Sequence, residues 1–474
     1  MSIGVPNETS IVEHGAVEDI YEEIRSVYRR YPQPWVIGYS GGKDSTAVVQ
    51  LVWKALEGLR SDQRRKPVFV IASDTGVENP VIASCIKNTL DLVNEVADDR
   101  GLPFHARPVV PKVNDSFWVN LIGRGYPAPT SRFRWCTDRL KIKPIDRFIK
   151  EKVSEHGEVI LVLGLRESES ATRKQLMSTY QVDGHLLRRH ATMAGAYIYA
   201  PIAEFSAGDV WRYLQEVAAP WGGDNDSLAA LYTRANAEER PMVIDTSTPP
   251  TGRNRFGCWV CTLTEHDASM EALIQTGEGW MKPLLEFRDW LNRTTVPENK
   301  RKYRDIRGRD GRVILKRDGT PAARTYKLRY SKYMLRRLLE IQRVVRREGP
   351  DPDMELVSPE ELFEIRRIWR TERQDWEDSV PRIFRDVSGH DLEWPRDDDA
   401  PFDAGHKALL SSICEEYEVP FELVARMLEA ERQMRGMARR AGIYKALGAE
   451  LAREWRSEKD ILSEKPLQLE LGLD

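Results

Sequence analysis

The stretch that most constrains this chain is Ser40-Gly41-Gly42-Lys43-Asp44-Ser45-Thr46, set between two apolar segments of different period. PWVIGYS (34–40) reads as a short buried strand, and TAVVQLVWKALEGL (46–59) reads as a helix. Small residues at a strand-to-helix junction let backbone N–H groups come close to an anion. The helix N-terminus adds its dipole and its unpaired donors, and Lys43 adds a cation. The string is not a Walker A loop: Lys43 is followed by Asp44, and Gly38 lies one residue too near for G-x-x-x-x-G-K-[ST]. An ordinary glycine turn shares the outline but gives no reason for the whole SGGKDS string. Ser40 to Thr46 are therefore candidate phosphate contacts.

The flanking pattern predicts a doubly wound, mostly parallel α/β sheet over 1–215. A leading helix is expected over 11–30, a second strand at PVFVIASD (67–74), a helix over 80–100 and a third strand at 104–109. A helix over 143–155, a fourth strand at EVILVLGLR (158–166), an edge strand at YIYAPIAEF (197–205) and a helix over 206–217 capped by Ser206 complete it. Ligands bind such sheets at the carboxyl ends of strands. That points to Asp74 as a metal or ribose contact. It also points to Gly164, Arg166 and Arg173 in GLRESESATR, the arginines being suited to a triphosphate or acidic substrate.

Beyond residue 215 the composition changes. Residues 216–291 are mixed and contain a C-x-x-C. Residues 292–347 hold 19 Lys and Arg against 5 Asp and Glu, net +14, and 348–404 hold 7 against 18, net −11. The basic stretch suits a phosphate backbone, with Arg336 and Arg337 among its charges, and Tyr303, Tyr326, Tyr330 and Tyr333 are candidates to stack on a base. RDDDA (396–400) is an expected linker, and 348–474 is expected to be helical. At 41% hydrophobic and 31% charged residues the chain is not largely disordered. No window approaches 18 consecutive apolar residues, so no membrane partner is expected. The first residues show neither a basic nor an apolar leader region, and a cytoplasmic location is expected.

Five cysteines are too few and too odd for a disulfide framework. Cys258 and Cys261 form the C-x-x-C in RFGCWVCT. Cys136 lies among Arg132, Arg134, Arg139, Lys141 and Lys143, cations that favour thiolate. These three are the candidate metal ligands. Cys85 and Cys414 read as small buried hydrophobes, and His266 is the nearest additional ligand candidate.

SGGKDS resembles the PP-loop of the ATP pyrophosphatase superfamily, and GLRESESATR resembles a segment of its PAPS-reductase-like members. PWVIGYSGGKDSTAVVQLVW, GYPAPTSRFRWCTDRLKIKP, YAPIAEFSAGDVW, RFGCWVCT and WMKPLLEFR together resemble the DndC-type DNA phosphorothioation proteins. The resemblance implies an adenine nucleotide alpha hydrolase-like fold. It also implies ATP cleavage between the α and β phosphates, with Asp44 helping to hold Mg²⁺. An iron–sulfur cluster, [4Fe–4S], sulfur from a cysteine desulfurase, and other phosphorothioation proteins as partners are implied too. Where those proteins carry TPxCGNxRFGCW, this chain reads TPPTGRNRFGCW with Thr251 at the cysteine's place, which leaves three thiolates and either one open iron, a degraded site or a fourth ligand from elsewhere. The rival readings are a PP-loop tRNA thiolase, a sulfonucleotide reductase, and a non-catalytic nucleic-acid-binding component.

Overall fold

The computed structural model describes residues 16–169, 186–190, 192–235, 257–308, 311–395, 402–434, 442–456 and 461. Arg173, Thr251 and the acidic run at 396–400 lie outside the described residues. The chain forms two compact units. One is Met1–Lys112 with Arg134–Gly279, the other Val113–Phe133 with Trp280–Asp474. The composition-based division, with breaks near 215, 291 and 347, does not follow these lines. In particular, 113–133 leaves the sheet unit because Trp118 and Trp369 need a common apolar interior, where the Trp369 indole N–H reaches the Ile122 carbonyl at 3.0 Å.

The first unit is built on six strands: β1 (Trp35–Gly38), β2 (Val68–Ser73), β3 (Phe104–Val109), β4 (Val159–Val162), β5 (Arg188–Arg189) and β6 (Ala196–Tyr199). Their spatial order is β3-β2-β1-β4-β6-β5, all parallel except the β5–β6 pair. The strand at 196–199 is therefore interior, not the edge, and it is shorter than expected. Pro201 has no N–H to extend the ladder, and 201–204 turns away. The helices are α1 (Ala16–Arg30), α2 (Lys43–Glu57), α3 (Pro80–Asp99), α4 (Lys143–His156), α5 (Ala207–Glu216), α6 (Asn225–Ala235) and α7 (Ala268–Gln275).

Alternation along the strands feeds two cores. Trp35, Ile37, Val68, Val70, Ile160 and Val162 pack with α1, α2, α3 and α5, and Trp53 of α2 lies at the centre. Val36, Ile71, Val159 and Leu161 face Ile145, Phe148 and Ile149 of α4. The chain winds outward from β1 through β2 to β3, then returns to the other side of β1 as β4. The direction of winding thus reverses between β1 and β4, the place where open α/β sheets hold ligands.

The second unit is helical: α8 (Lys282–Arg293), α9 (Lys300–Tyr303), α10 (Leu328–Glu348), α11 (Pro359–Glu372), α12 (Ser379–Ser388), α13 (Ala404–Glu416), α14 (Phe421–Gln433) and α15 (Ile443–Leu451). The basic helix α10 packs on α12 and meets the acidic segment directly. Lys332 pairs with buried Asp375 at 2.6 Å, Arg336 with Asp386 at 2.8 Å, and Arg343 donates to the Val387 carbonyl at 2.8 Å. Much of the charge segregated along the sequence is thus offset in space. Among the described residues no helix is long and apolar enough to cross a membrane.

Trp53 is fully buried against Phe104 at 4.8 Å and Trp221 at 5.9 Å between ring centroids. Trp53→Ala is expected to destabilise the sheet unit by about 3–5 kcal/mol in equilibrium urea unfolding. Leu409→Ala, at a 63% exposed position, is expected to stay within about 0.5 kcal/mol of wild type.

Candidate nucleotide and thiol site

The loop after β1 is glycine-rich for steric reasons. Gly41 has φ +75°, and a Cβ there would stand 2.6 Å from Ile86 Cγ1. Gly42 caps α2 with extended backbone. Ser45 and Thr46 each donate their hydroxyl to the Gly42 carbonyl at 2.9 Å, and Ser45 Oγ accepts the Ser40 N–H at 3.2 Å. These bonds wind the helix back to Lys43, three residues earlier than the apolar pattern indicated. Lys43 to Thr46 thus form the first turn of α2, where the helix presents its unpaired donors. Ser40, Ser45 and Thr46 shape the loop through its own backbone.

Asp44 is 2% exposed and sits between two cations. Lys43 Nζ lies 3.3 Å from Oδ2, and Arg166 Nε lies 3.0 Å from Oδ1. Arg166 comes from the loop after β4 and is buried too. Its Nη1 bonds Ser168 Oγ at 3.0 Å, and Ser168 donates to the Phe205 carbonyl at 3.2 Å. Gly164 makes this approach possible, since a Cβ there would be 3.0 Å from the Asp44 carbonyl carbon. The structure thus brings Lys43, Asp44, Gly164 and Arg166 together at the winding reversal. Lys43 is buried rather than exposed on the loop, because the backbone turns it onto Asp44. Asp74 is exposed, and its Oδ1 accepts the Gly76 N–H at 2.8 Å, closing the turn after β2.

The C-x-x-C is pinned to that same turn. Cys258 bridges Glu78 in antiparallel fashion, Asn79 N bonds the Gly257 carbonyl at 3.1 Å, and Trp259 N bonds the Val77 carbonyl at 3.0 Å. The Cys258 thiol faces Thr75 Oγ1 at 3.5 Å and donates toward Glu78 Oε2 at 3.8 Å, while Lys141 pairs with Glu78 Oε1 at 3.0 Å. Cys136 precedes a π-helical turn, Thr137–Ile142, that leads into α4. It and Cys258 both lie within electrostatic reach of Cys261 and Lys141.

The local cations do not make these thiols acidic. Burial dominates, pushing Cys136 up to about 11 with the negative charge of Cys261 adding to it, and Cys258 up to about 12 with Glu78 adding to it. Cys85 is exposed rather than buried, whereas Cys414 is buried. His266 is 72% exposed and pairs loosely with Glu271 at 3.8 Å, apart from the thiols. Glu78, Thr75 and Lys141 were not marked as site residues by sequence. Their role follows from the pairing of 257–259 with 77–79, which no local pattern announces.

Three thiols in one neighbourhood fit a thiolate-ligated cluster in donor chemistry. Among the described residues, no group of three or more His, Cys, Asp or Glu side chains is gathered closely enough to hold a metal ion as it stands. Ligation would require the sulfurs to draw together and release their protons, as metal binding drives thiols to do.

Residues 34–263 match the phosphoadenosine phosphosulfate reductase domain. This domain belongs to the PP-loop superfamily. Residues 407–448 match a second family, described as a small protein found in certain Dnd DNA modification systems. Two uncharacterised proteins of Methanocaldococcus jannaschii are similar. One is 25% identical over 57% of this chain and 45% of its own length, the other 30% identical over 37% and 34%. The chain thus spans less than half of the curated relatives it matches. Among solved structures, the PAPS reductase of Candida auris is 18% identical over 47% of this chain and 92% of its own, with TM-score 0.27. The U34-tRNA thiolase NcsA of Methanococcus maripaludis, solved with its [4Fe–4S] cluster, is 12% identical over 58% and 78%, with TM-score 0.28.

Thiol alkylation follows the thiolate fraction and exposure. In chelator-treated protein at pH 8, iodoacetamide should label Cys85 at least about tenfold faster than Cys258. The Cys258 rate should still be rising at pH 10, as a thiol held near 12 requires. A Cys258 plateau below pH 9 in mass-spectrometric time courses would contradict the burial argument.

Proposed function

We propose that this chain is an ATP-dependent sulfurtransferase that installs phosphorothioate in the DNA backbone. The observation that carries this reading is the Lys43–Asp44–Arg166 set at the winding reversal, on the same sheet end as the cysteine-pinned turn after β2. The match of 407–448 to a Dnd-associated family supports DNA as the acceptor.

Lys43 and Arg166 offset charge on the triphosphate, and Arg173 is assigned the same task. The donors at the start of α2 receive phosphate oxygens. Asp44 would hold Mg²⁺, which would draw charge from the leaving pyrophosphate. A non-bridging oxygen of the DNA diester bonds to the α phosphorus, and the bond from that phosphorus to pyrophosphate breaks. Sulfur arriving as hydrosulfide then bonds to the DNA phosphorus. AMP departs with the original oxygen, and the sulfur loses its proton to solvent. Cys136, Cys258 and Cys261 would hold an iron–sulfur cluster, [4Fe–4S], which would present that sulfur. A cysteine desulfurase is the proposed sulfur donor, acting with other Dnd proteins in a cytoplasmic assembly. Its persulfide sulfur is released as hydrosulfide by a thiol reductant that supplies two electrons and ends as disulfide.

For the DNA contact the reading shifts within the basic stretch. Arg336 and Arg337 already pair with Asp386 and Glu340 at 2.8 and 2.9 Å. Tyr326 is 1% exposed, and Tyr303 and Tyr330 pack edge-on at 4.9 Å, whereas Tyr333 is 44% exposed. Around α9, by contrast, Lys300 is held below the usual lysine range by burial first, then by Arg304, Lys316 and Arg132, with only Glu298 opposing. Arg132 and Lys316 are exposed, and each adjoins an exposed apolar residue, Phe133 and Leu315. Uncompensated cations beside apolar surface suit a nucleic-acid backbone.

Lys43→Ala should abolish pyrophosphate release from ATP. Stripping a cation from buried Asp44 should also cost about 1–3 kcal/mol, so activity is to be read where circular dichroism shows the variant folded. Wild-type pyrophosphate release by the folded variant would sink the assignment. Cys258→Ser should lose iron and sulfur transfer while retaining ATP cleavage.

Arg132→Glu, Lys300→Glu and Lys316→Glu combined should weaken DNA binding and reduce the log–log salt slope by roughly 3. Arg336→Glu with Arg337→Glu should have the smaller effect. Equal slopes for the triple variant and wild type would rule out phosphate contact at α9.

A further inference from the structure

Tyr232 is a residue that neither the motif nor the comparisons assign. It lies on α6 and is 8% exposed. Its hydroxyl oxygen accepts the Lys43 backbone N–H at 3.2 Å. That N–H is the first of α2, immediately after the Gly42 cap, and it is one of the donors a helix start offers to an anion. A neutral phenol oxygen therefore occupies a position at which a phosphate oxygen would be received. The side chains beside it are also internally satisfied, with Asp44 held by Lys43 and Arg166.

The phenol is held by packing around it. Its ring meets Trp211 edge-on at 5.1 Å between centroids. The preceding Leu231 packs with Ile82 of α3 and Leu273 of α7. Arg234, further along α6, pairs with Glu278 at 2.8 Å and donates to the Thr276 carbonyl at 3.3 Å, beyond the end of α7. α6 thus joins the phosphate loop to the helix that follows the C-x-x-C.

We infer that the Tyr232 hydroxyl stands in for a phosphate oxygen on the Lys43 N–H and must be displaced when a nucleoside triphosphate binds, so that Tyr232 sets nucleotide affinity and α6 reports loop occupancy to α7. The inference rests on the reading of the loop as a nucleotide site. A charged phosphate oxygen makes the stronger hydrogen bond, so exchange is favourable, but the lost phenol contact is deducted from affinity. The phenol is a competitor rather than a ligand, and its removal tightens binding.

The test uses the full chain with α,β-methylene ATP and Mg²⁺ in titration calorimetry. Tyr232→Phe keeps the ring against Trp211 and removes only the hydroxyl. It is expected to bind about 3- to 10-fold more tightly than wild type, the scale of one hydrogen bond. In wild type, nucleotide should also raise hydrogen exchange in 225–235 and 268–275. Unchanged or weaker binding by Tyr232→Phe, with wild type binding normally, overturns the competitor role and leaves the nucleotide reading intact. Reduced exchange across 225–235 on binding overturns it as well. If neither protein binds the nucleotide, the loop assignment fails and the inference with it.

Discussion

A buried carboxylate organises the end of this sheet where β1 and β4 give way to their loops. Asp44 is 2% exposed and lies between Lys43 and Arg166, the pairing that a buried carboxylate needs. Arg166 reaches it only because Gly164 lets the loop after β4 lie against the start of α2. The parallel pairing of β1 with β4 sets those two loops side by side. The ion pair thus fixes the geometry of the loop, and the loop fixes the first donors of α2. Removing one element of this set would disturb the others, which is why the glycines and the charges have to be considered together.

The cysteines follow a different logic. Cys258 is tied to the turn after β2 by backbone pairing with 77–79, so the position of its sulfur is inherited from the sheet rather than from its neighbours in sequence. Burial then overrides the local cations. Lys141, which by proximity in sequence would favour a Cys136 thiolate, spends much of its charge on Glu78. The π-helical turn after Cys136 sets where that sulfur lies.

Charge shows the same contrast between sequence and space. Arg336 of α10 pairs with Asp386 of α12, and Lys332 with Asp375, so this arginine-dense helix is less positive than its composition. Exposed pairs of this kind stabilise little individually, but they lower the field an approaching polyanion meets. Around α9 the balance differs, where burial and the neighbouring Arg304, Lys316 and Arg132 act on Lys300.

Local chemistry alone determined a good deal. The strand–glycine–helix pattern, the apolar runs and the Ser206 cap specify a mostly parallel α/β sheet with a glycine-rich loop after its first strand, because backbone sterics and hydrophobic period act over a few residues. The Ser206–Asp209 capping box appears as its spacing requires. Lys43, Asp44 and Arg166 were legible as types of residue at strand ends. Tertiary structure decided the rest. It made Arg188–Arg189 the edge strand, moved 113–133 into the helical unit, buried Lys43, set Glu78 against Cys258 and laid Tyr232 on the loop. Each of these depends on contacts between residues tens to hundreds of positions apart, and the free energy of such contacts comes from burial and pairing that no local pattern encodes.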